Sequence, residues 1–549
     1  MLQLPCEILL VIIDKCDFLS KIRLCGINKY FNENIQIHDL MNISRKFLIK
    51  LNDEILQQTK FDNLKKLKAL KNISQKGIKK FDLTDLNITE NMEINNVSFM
   101  KNLKCLDACG NNIMNQKGIK GLNLTKLKVN NENINDVSFM KNLKKLGICG
   151  KDCKIDQNGI KGLDLIELVI CNDKIKNISF MKNLRNLRIS SNSNIDQKNI
   201  QSLDLIELIV PCNRKITNVS FMKNLTKLDA SGKNCTINQK GIQDLDLIEL
   251  DADDNEKITN VSFMKKLKFL HANGHCGINQ NGIKGLNLKK LYACDNNKII
   301  NVSFMKKLKY LDAFGTCGIN QRGIEGLNLV ELIADKNEKI TNVSFMKNLK
   351  YLNACGTCGI NQRGIKGLDL IKLNAGHNQK IKNVTFMKNL KSLIANGVDC
   401  GIKQKGIKGL DLVDLNANNN QNIHDVTFMK NLKHLSANTF CGIYQDGIEG
   451  LDLVELSARN NYYIVNVTFM KNLKRLNADR QCGIDQKGIE GLNLTEFSVS
   501  DNKKIKNVTF MKNLIILNAN GKCGIDQKGI EGLNLYKLYA DKNNKINSI

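Results

Sequence analysis

The sequence predicts an α/β solenoid, in which one short strand-and-turn unit stacks on itself to build a curved parallel β-sheet. Three observations carry that expectation. The phrase Asn-Val-Ser/Thr-Phe-Met-Lys-Asn-Leu recurs with small variations, its phenylalanine at Phe99, Phe139, Phe180, Phe221, Phe263, Phe304, Phe345, Phe386, Phe428, Phe469 and Phe510, in steps of 40 to 42 residues. Each repeat divides into halves of 21 and 20 residues that share Leu-x-x-Leu-x-Ala, as at Leu349, Leu352 and Ala354 and again at Leu370, Leu373 and Ala375. Apolar residues make up 42% of the 549, Trp is absent, and proline occurs only at Pro5 and Pro211. A period held this tightly means units that touch only their neighbours and a core that grows lengthwise, not a globular enzyme domain.

Each Leu-x-x-Leu-x-Ala is expected to place a short strand, with the leucines and alanine inward and the residues between them on the open side. Alanine is small for a core layer, so the Phe-Met pair is expected to reach in and fill it to normal packing density. The Ser or Thr before Phe-Met suits the N-cap of a tight helical turn behind the second half's strand. A degenerate first copy begins at Phe61. The organisation that follows is a small helical segment over 1–40, a linker or cap over 41–60, and a solenoid over 61–549. The solenoid holds about twelve 41-residue double repeats and roughly 24 strands.

With Asn378 three residues and Ile381 six residues beyond Ala375, the halves resemble leucine-rich repeats, whose motif is L-x-x-L-x-L-x-x-N/C-x-L. The resemblance covers nearly the whole chain and implies a horseshoe with an open concave sheet. The Gly359 to Ile365 stretch, Gly-Ile-x-Gln-x-Gly-Ile, is similar to the cysteine-containing repeat subtype common in F-box proteins. Residues 4–35 also resemble an F-box, through Leu4-Pro5, Glu7-Ile8-Leu9, Ile12-Ile13, Leu19, Leu24, Asn28-Lys29, Phe31 and Ile35. That resemblance implies docking on a Skp-type adaptor and a cullin, with Leu4, Pro5, Glu7, Ile8, Leu9 and Ile12 as adaptor-binding residues. Physical reasoning fits it. Pro5 sits where a missing N–H costs a helix nothing, and Ile8/Ile12 and Leu9/Ile13 are spaced by four on one face. The other reading is that these helices cap the open end of the solenoid, which also needs covering. Abundant Lys, Asn and Ile point to AT-rich coding, of the kind seen in some protists and giant viruses.

Net charge is +28, from 82 basic and 54 acidic residues. This is either solubility with a lysine-biased composition or attraction to nucleic acid and anionic surfaces. The basic residues are interleaved with acidic ones, which argues against nucleic acid. The start carries Glu7 and Asp14 and no basic n-region, unlike a secretory signal, and no stretch approaches a membrane-spanning length.

Eight of the nineteen cysteines, Cys235, Cys276, Cys317, Cys358, Cys400, Cys441, Cys482 and Cys523, recur once per repeat. Equivalent positions lie two strands, about 10 Å, apart, beyond disulfide reach. They read as buried free thiols in a reducing, cytoplasmic setting, a host-cell cytoplasm included. Cys355-Gly-Thr-Cys358 is a lone C-x-x-C. The Asn-Val-Ser/Thr sequons read as turn formers, and Asp136 and Asp425 at two of these positions can make the same turn bonds. The six histidines show no metal-ligand spacing, and no phosphate loop or nucleophile–base pair stands out. No cofactor, metal or catalytic residue is expected.

Recognition is expected on the concave face, where residues vary between copies while the frame stays fixed. Phe269, Tyr310 and Tyr351 fill one slot in successive repeats, with His271, Tyr292 and Phe314 beside them. In a chain with 5% aromatics this is a concentrated patch of the kind that makes binding hot spots. Glu249 and Glu331 belong to an acidic stripe with Glu167, Glu207, Asp414, Glu455 and Glu496, broken by Lys126, Lys290, Lys372 and Lys537. The expected function is a substrate receptor of a Skp–cullin–F-box ubiquitin ligase that holds a protein target of basic or mixed surface. The competing readings are an interaction scaffold without a ligase and a binder of nucleic acid or anionic surfaces.

Overall fold

The computed structural model describes residues 34–43, 45–110 and 113–547, together with Cys16, Ser20 and Lys21. The six adaptor-binding residues expected at the N-terminus lie outside the described residues. The chain divides into two compact units, Met1–Ile258 and Thr259–Ile549. Both are parallel β-solenoids of leucine-rich half-repeats. Among the described residues, eleven short strands of the first run from Asp39–Leu40 to Glu249–Asp251, and fourteen of the second run from Phe269–His271 to Lys537–Tyr539. Within each unit every strand pairs in parallel with the next, so that leucine meets leucine: Leu311, Leu332, Leu352 and Leu373 form one continuous rung. Before the second strand, short helices at Arg45–Leu48 and Asp53–Leu56 and a 3-10 turn at Thr59–Phe61 bury Leu48, Leu56 and Phe61. Among the described residues no helix is long and apolar enough to cross a membrane.

The repeated phrase splits its duties differently from expectation. Methionine joins the alanines in the core: Met305 and Ala313 are both 0% exposed. Phenylalanine does not enter, and Phe304 is 38% exposed. The physical reason lies in the turn, where the two neighbours point to opposite sides and the unbranched thioether suits the irregular gap. Met305→Ala should therefore cost about 3 kcal/mol, and Phe304→Ala about 0.5 kcal/mol, near the range of surface changes. Urea unfolding of the two variants checks this, and equal losses would return phenylalanine to the core.

The turn chemistry also corrects the expected cap. The sequon asparagine is the acceptor: Asn383 Oδ1 takes the Thr385 N–H (2.9 Å) and hydroxyl (2.8 Å). Asp425 does the same for Thr427, and Asp136 takes the Ser138 N–H. These sequon positions are Asx turns, as their asparagine-or-aspartate choice implied. Within the repeats the 3-10 turns sit in the first half, as at Arg363–Ile365 in Gly-Ile-x-Gln-x-Gly-Ile.

Three side-chain ladders tie successive halves together. Buried asparagines such as Asn378 bond backbone on both sides. Glutamines clasp the next half: Gln362 Nε2 donates to Asn383 O (2.9 Å) and its Oε1 accepts the Lys382 and Asn383 N–H groups (both 2.8 Å). Lysines close the third, with Lys339 Nζ on Cys317 O and Lys380 Nζ on Cys358 O. Repetition of these bonds satisfies backbone groups on the loop side of each unit.

Candidate functional site

In the three-residue strands of the second unit, the sheet face turned away from the core carries the first and third residues. In the second unit the first-residue row reads Phe269, Lys290, Tyr310, Glu331, Tyr351, Lys372, and the third-residue row His271, Tyr292, Asp312, Ile333, Asn353, Asn374. Seven of the eight residues expected on a recognition face stand here. Phe269, His271, Tyr292, Tyr310, Glu331 and Tyr351 sit on strands, and Phe314 lies two residues past Asp312. All seven are half-buried. The eighth, Glu249, belongs to the first unit, where Lys227 Nζ lies 3.1 Å from it and 3.8 Å from Glu207.

Three of these rings form a stack. His271 lies on Tyr292 with ring centres 4.0 Å apart and planes 14° apart, and Tyr292 meets Tyr310 at 4.7 Å and 42°. Adjacent strands supply the spacing, because neighbouring rungs of a sheet stand about 4.8 Å apart. Lysines cover two rings: Lys290 Nζ is 5.5 Å from the Tyr310 centre and Lys336 Nζ 5.6 Å from that of Phe314. Burial, then Asp312, raises the Tyr310 hydroxyl's pKa, and burial, then Glu331, raises that of Tyr351. Both phenols keep their protons and can donate. Beside Tyr351 lies a hollow of about 680 Å³ lined by Glu331, Lys350, Ile371, Lys372, Ser392 and Ile394. Ile371 and Ile394 were not expected to take part; only the three-dimensional neighbourhood of Tyr351 reveals them.

The acidic stripe is locally neutralised. Basic residues one strand away on the same rung pair with it: Lys145 with Glu167 at 2.8 Å, Lys227 with Glu207 and Glu249, and Arg475 with Glu455. Each half-repeat was read separately in the sequence, so this alternation along one rung stayed hidden. A second aromatic group lies beyond the strands. Tyr444 and Tyr463 lie 4.2 Å apart, and Phe440, Tyr444, Tyr462 and Tyr463 are all exposed on the turns beyond the strands. Four aromatics within 24 residues was the available signal.

The once-per-repeat cysteines are buried. Burial pushes Cys317 and Cys358 up to about 12 and Cys235 up to about 11, which keeps them protonated and unreactive. The other member of the C-x-x-C, Cys355, is half-buried and also raised, first by burial. One thiol behaves oppositely. Cys149 is exposed and lowered to about 7, chiefly by a hydrogen bond with the Cys109 thiol, with the Lys128 charge assisting against burial.

Two solved structures are similar at low identity. The crystal structure of a Rad7–Elc1 complex from yeast is 17% identical with a TM-score of 0.30, over 74% of this chain and 95% of that one. The crystal structure of CroV588, described as a circular leucine-rich-repeat protein, is 16% identical with a TM-score of 0.36, over 83% of this chain and 75% of that one. No protein-family description matches the sequence, and no curated protein does.

Proposed function

We propose that the protein is a non-catalytic interaction receptor that holds a protein partner on the open sheet face of its second unit. The observation that carries this is the His271–Tyr292–Tyr310 stack beside Tyr351 and its hollow. Rings held against each other on a rigid sheet give large contact area at little entropic cost, which is what interface anchors need. Lys290, Glu331 and Lys372 alternate around them, so the partner surface is mixed in charge, not a run of phosphates. The finer reading makes the chain a substrate receptor that bridges this partner to a Skp–cullin ubiquitin ligase. Its support is the F-box-like pattern of Leu4, Pro5, Glu7, Ile8, Leu9 and Ile12 ahead of the repeats.

One affinity-capture series tests both levels. The wild-type chain should retain a Skp-type adaptor and a cullin, and Leu4→Ala with Pro5→Ala should lose them. Failure of the wild type to retain them, or equal retention by the variant, leaves a receptor without a ligase. Proteins retained by the wild type but lost by Phe269→Ala with Tyr310→Ala, with unfolding unchanged, identify the partner. No protein lost moves the recognition site elsewhere. Steeply salt-dependent retention of duplex or single strands would instead favour the reading based on the net charge of +28.

A further inference from the structure

Beyond the strands of the second unit lies a hollow of about 930 Å³. It is built by the turns that follow Glu455–Ser457, Arg475–Asn477, Glu496–Ser498 and Ile516–Asn518. Four cations, Arg480, Lys503, Lys504 and Lys522, line it with one carboxylate, Asp501. Lys504 is committed to the backbone, its Nζ on Cys482 O at 3.1 Å. Asp501 is engaged as well, its Oδ1 accepting the Lys522 N–H at 2.9 Å. Among the described residues no ion pair engages the side chains of Arg480, Lys503 or Lys522. Tyr462 also lines the hollow and is 51% exposed. Its hydroxyl donates to Gln481 Oε1 at 2.5 Å, which ties the ring down while leaving it open to a ligand.

Three of these residues depart from the frame of the repeat. Arg480 has a φ of +60° in a slot that glycine fills at Gly274, Gly315, Gly356, Gly397 and Gly521. The turn requires that backbone, because the Arg480 N–H donates to Ser500 O (2.6 Å) as the Gly521 N–H does to Asp541 O (2.8 Å). A side chain there costs conformational energy, and strain of this kind clusters at ligand sites. Lys503 stands where earlier copies have Glu338 and Gln379, and Lys522 where they have Thr316 and Thr357. Each departure brings a cation to the same hollow. We propose that this hollow binds a nucleoside polyphosphate. Its volume falls in the range of small-ligand sites, about 300–1,000 Å³. The guanidinium fork of Arg480 matches two phosphate oxygens, and the lysines add point charges. The Tyr462 ring offers a face on which any base can stack. The site is separate from the sheet face that holds the protein partner, and neither depends on the other.

Isothermal titration of the full-length protein with ATP, at low salt and without divalent ions, tests this. Three variants carry residues that the chain itself uses in the same slots, so the fold accommodates them: Arg480→Gly, Lys503→Gln and Tyr462→Gln. Arg480→Gly and Lys503→Gln should each weaken both ATP and inorganic tripolyphosphate by about tenfold. Tyr462→Gln should weaken ATP by about tenfold and leave tripolyphosphate unchanged. Phe269→Ala with Tyr310→Ala, on the sheet face, should bind ATP as the wild type does, which separates this site from the protein-binding one. Absence of wild-type binding, or equal ATP affinity in the wild type, Arg480→Gly and Lys503→Gln, would overturn the proposal. So would tripolyphosphate binding as tightly as ATP to the wild type, since the site would then take a bare anion. Tighter binding of a single-stranded oligonucleotide than of ATP, lost in the same variants, would replace the nucleotide with a strand.

Discussion

Gly364→Ala should destabilise the second unit by more than about 3 kcal/mol, an unusually large effect for one added methyl group. Gly364 lies in the 3-10 turn Arg363–Ile365. An added Cβ would stand 2.1 Å from Thr341 O and 3.1 Å from Asn342 Cα. Both are backbone atoms and cannot swing aside. The approach is this close because the Gly364 carbonyl accepts the Val343 N–H at 2.9 Å, so two halves of the solenoid touch main chain to main chain. Gly409→Ala is the matched comparison. Its φ of +76° disfavours a side chain, but nothing lies within 4 Å of its Cβ, and the change should cost about 1 kcal/mol. Urea unfolding with hydrogen exchange distinguishes the two, with the Val343 amide losing protection only in Gly364→Ala. Equal and mild losses would mean that the turn can back away from Thr341.

The same approach recurs at Gly118, Gly241, Gly323 and Gly488, where an added Cβ would stand within 2.2 Å of a carbonyl oxygen, and the chain contains its own exception. At the equivalent place stands Asn199. The segment there becomes a short α-helix, Gln197–Ile200, opened by a capping box in which Asp196 and Asn199 exchange bonds. Val97, Val137 and Val219 donate to Gly118, Gly159 and Gly241. Among the described residues no such bond joins Ile178 to Asn199. Losing the glycine moves the backbone and forfeits the cross-link, which is the outcome forecast for residue 364.

The parallel solenoid was legible because Leu-x-x-Leu-x-Ala repeats a requirement of burial, and leucines such as Leu352 and Leu373 occupy the rungs the pattern assigned them. Which of two adjacent apolar residues turns inward was not legible. Phe304 and Met305 follow the Asx turn of Asn301, whose Oδ1 takes the Ser303 N–H and hydroxyl. Pattern also placed Phe269, Tyr310 and Tyr351 on one open row, since alternation along a strand fixes the face. It could not show that Tyr292 leans to stack on both His271 and Tyr310, nor that the stripe containing Glu455 is balanced by Arg475 on the next strand. Those facts depend on side-chain direction across a rung, which period alone does not encode.

Asn378→Ala is the second large effect expected, at about 4 kcal/mol. Asn378 is 0% exposed and makes four bonds. Its Nδ2 donates to Ala354 O (2.7 Å) and Ile360 O (3.2 Å), and its Oδ1 accepts from Lys380 N (2.8 Å) and Ile381 N (3.1 Å). Alanine leaves four backbone groups without those partners where water has little access, at roughly 1–3 kcal/mol for each that stays unsatisfied. Because repeats contact only neighbours, protection from hydrogen exchange should fall around residues 354–381 first. Asn378→Asp separates the two kinds of bond. It keeps the acceptor and loses the donor, facing a carboxylate with two carbonyl oxygens. Burial there raises the folded-state pKa above the unfolded value, so this variant should gain stability as pH falls through the raised pKa and lose it as pH rises. A pH-independent loss equal to that of alanine would show that the two donated bonds contribute nothing.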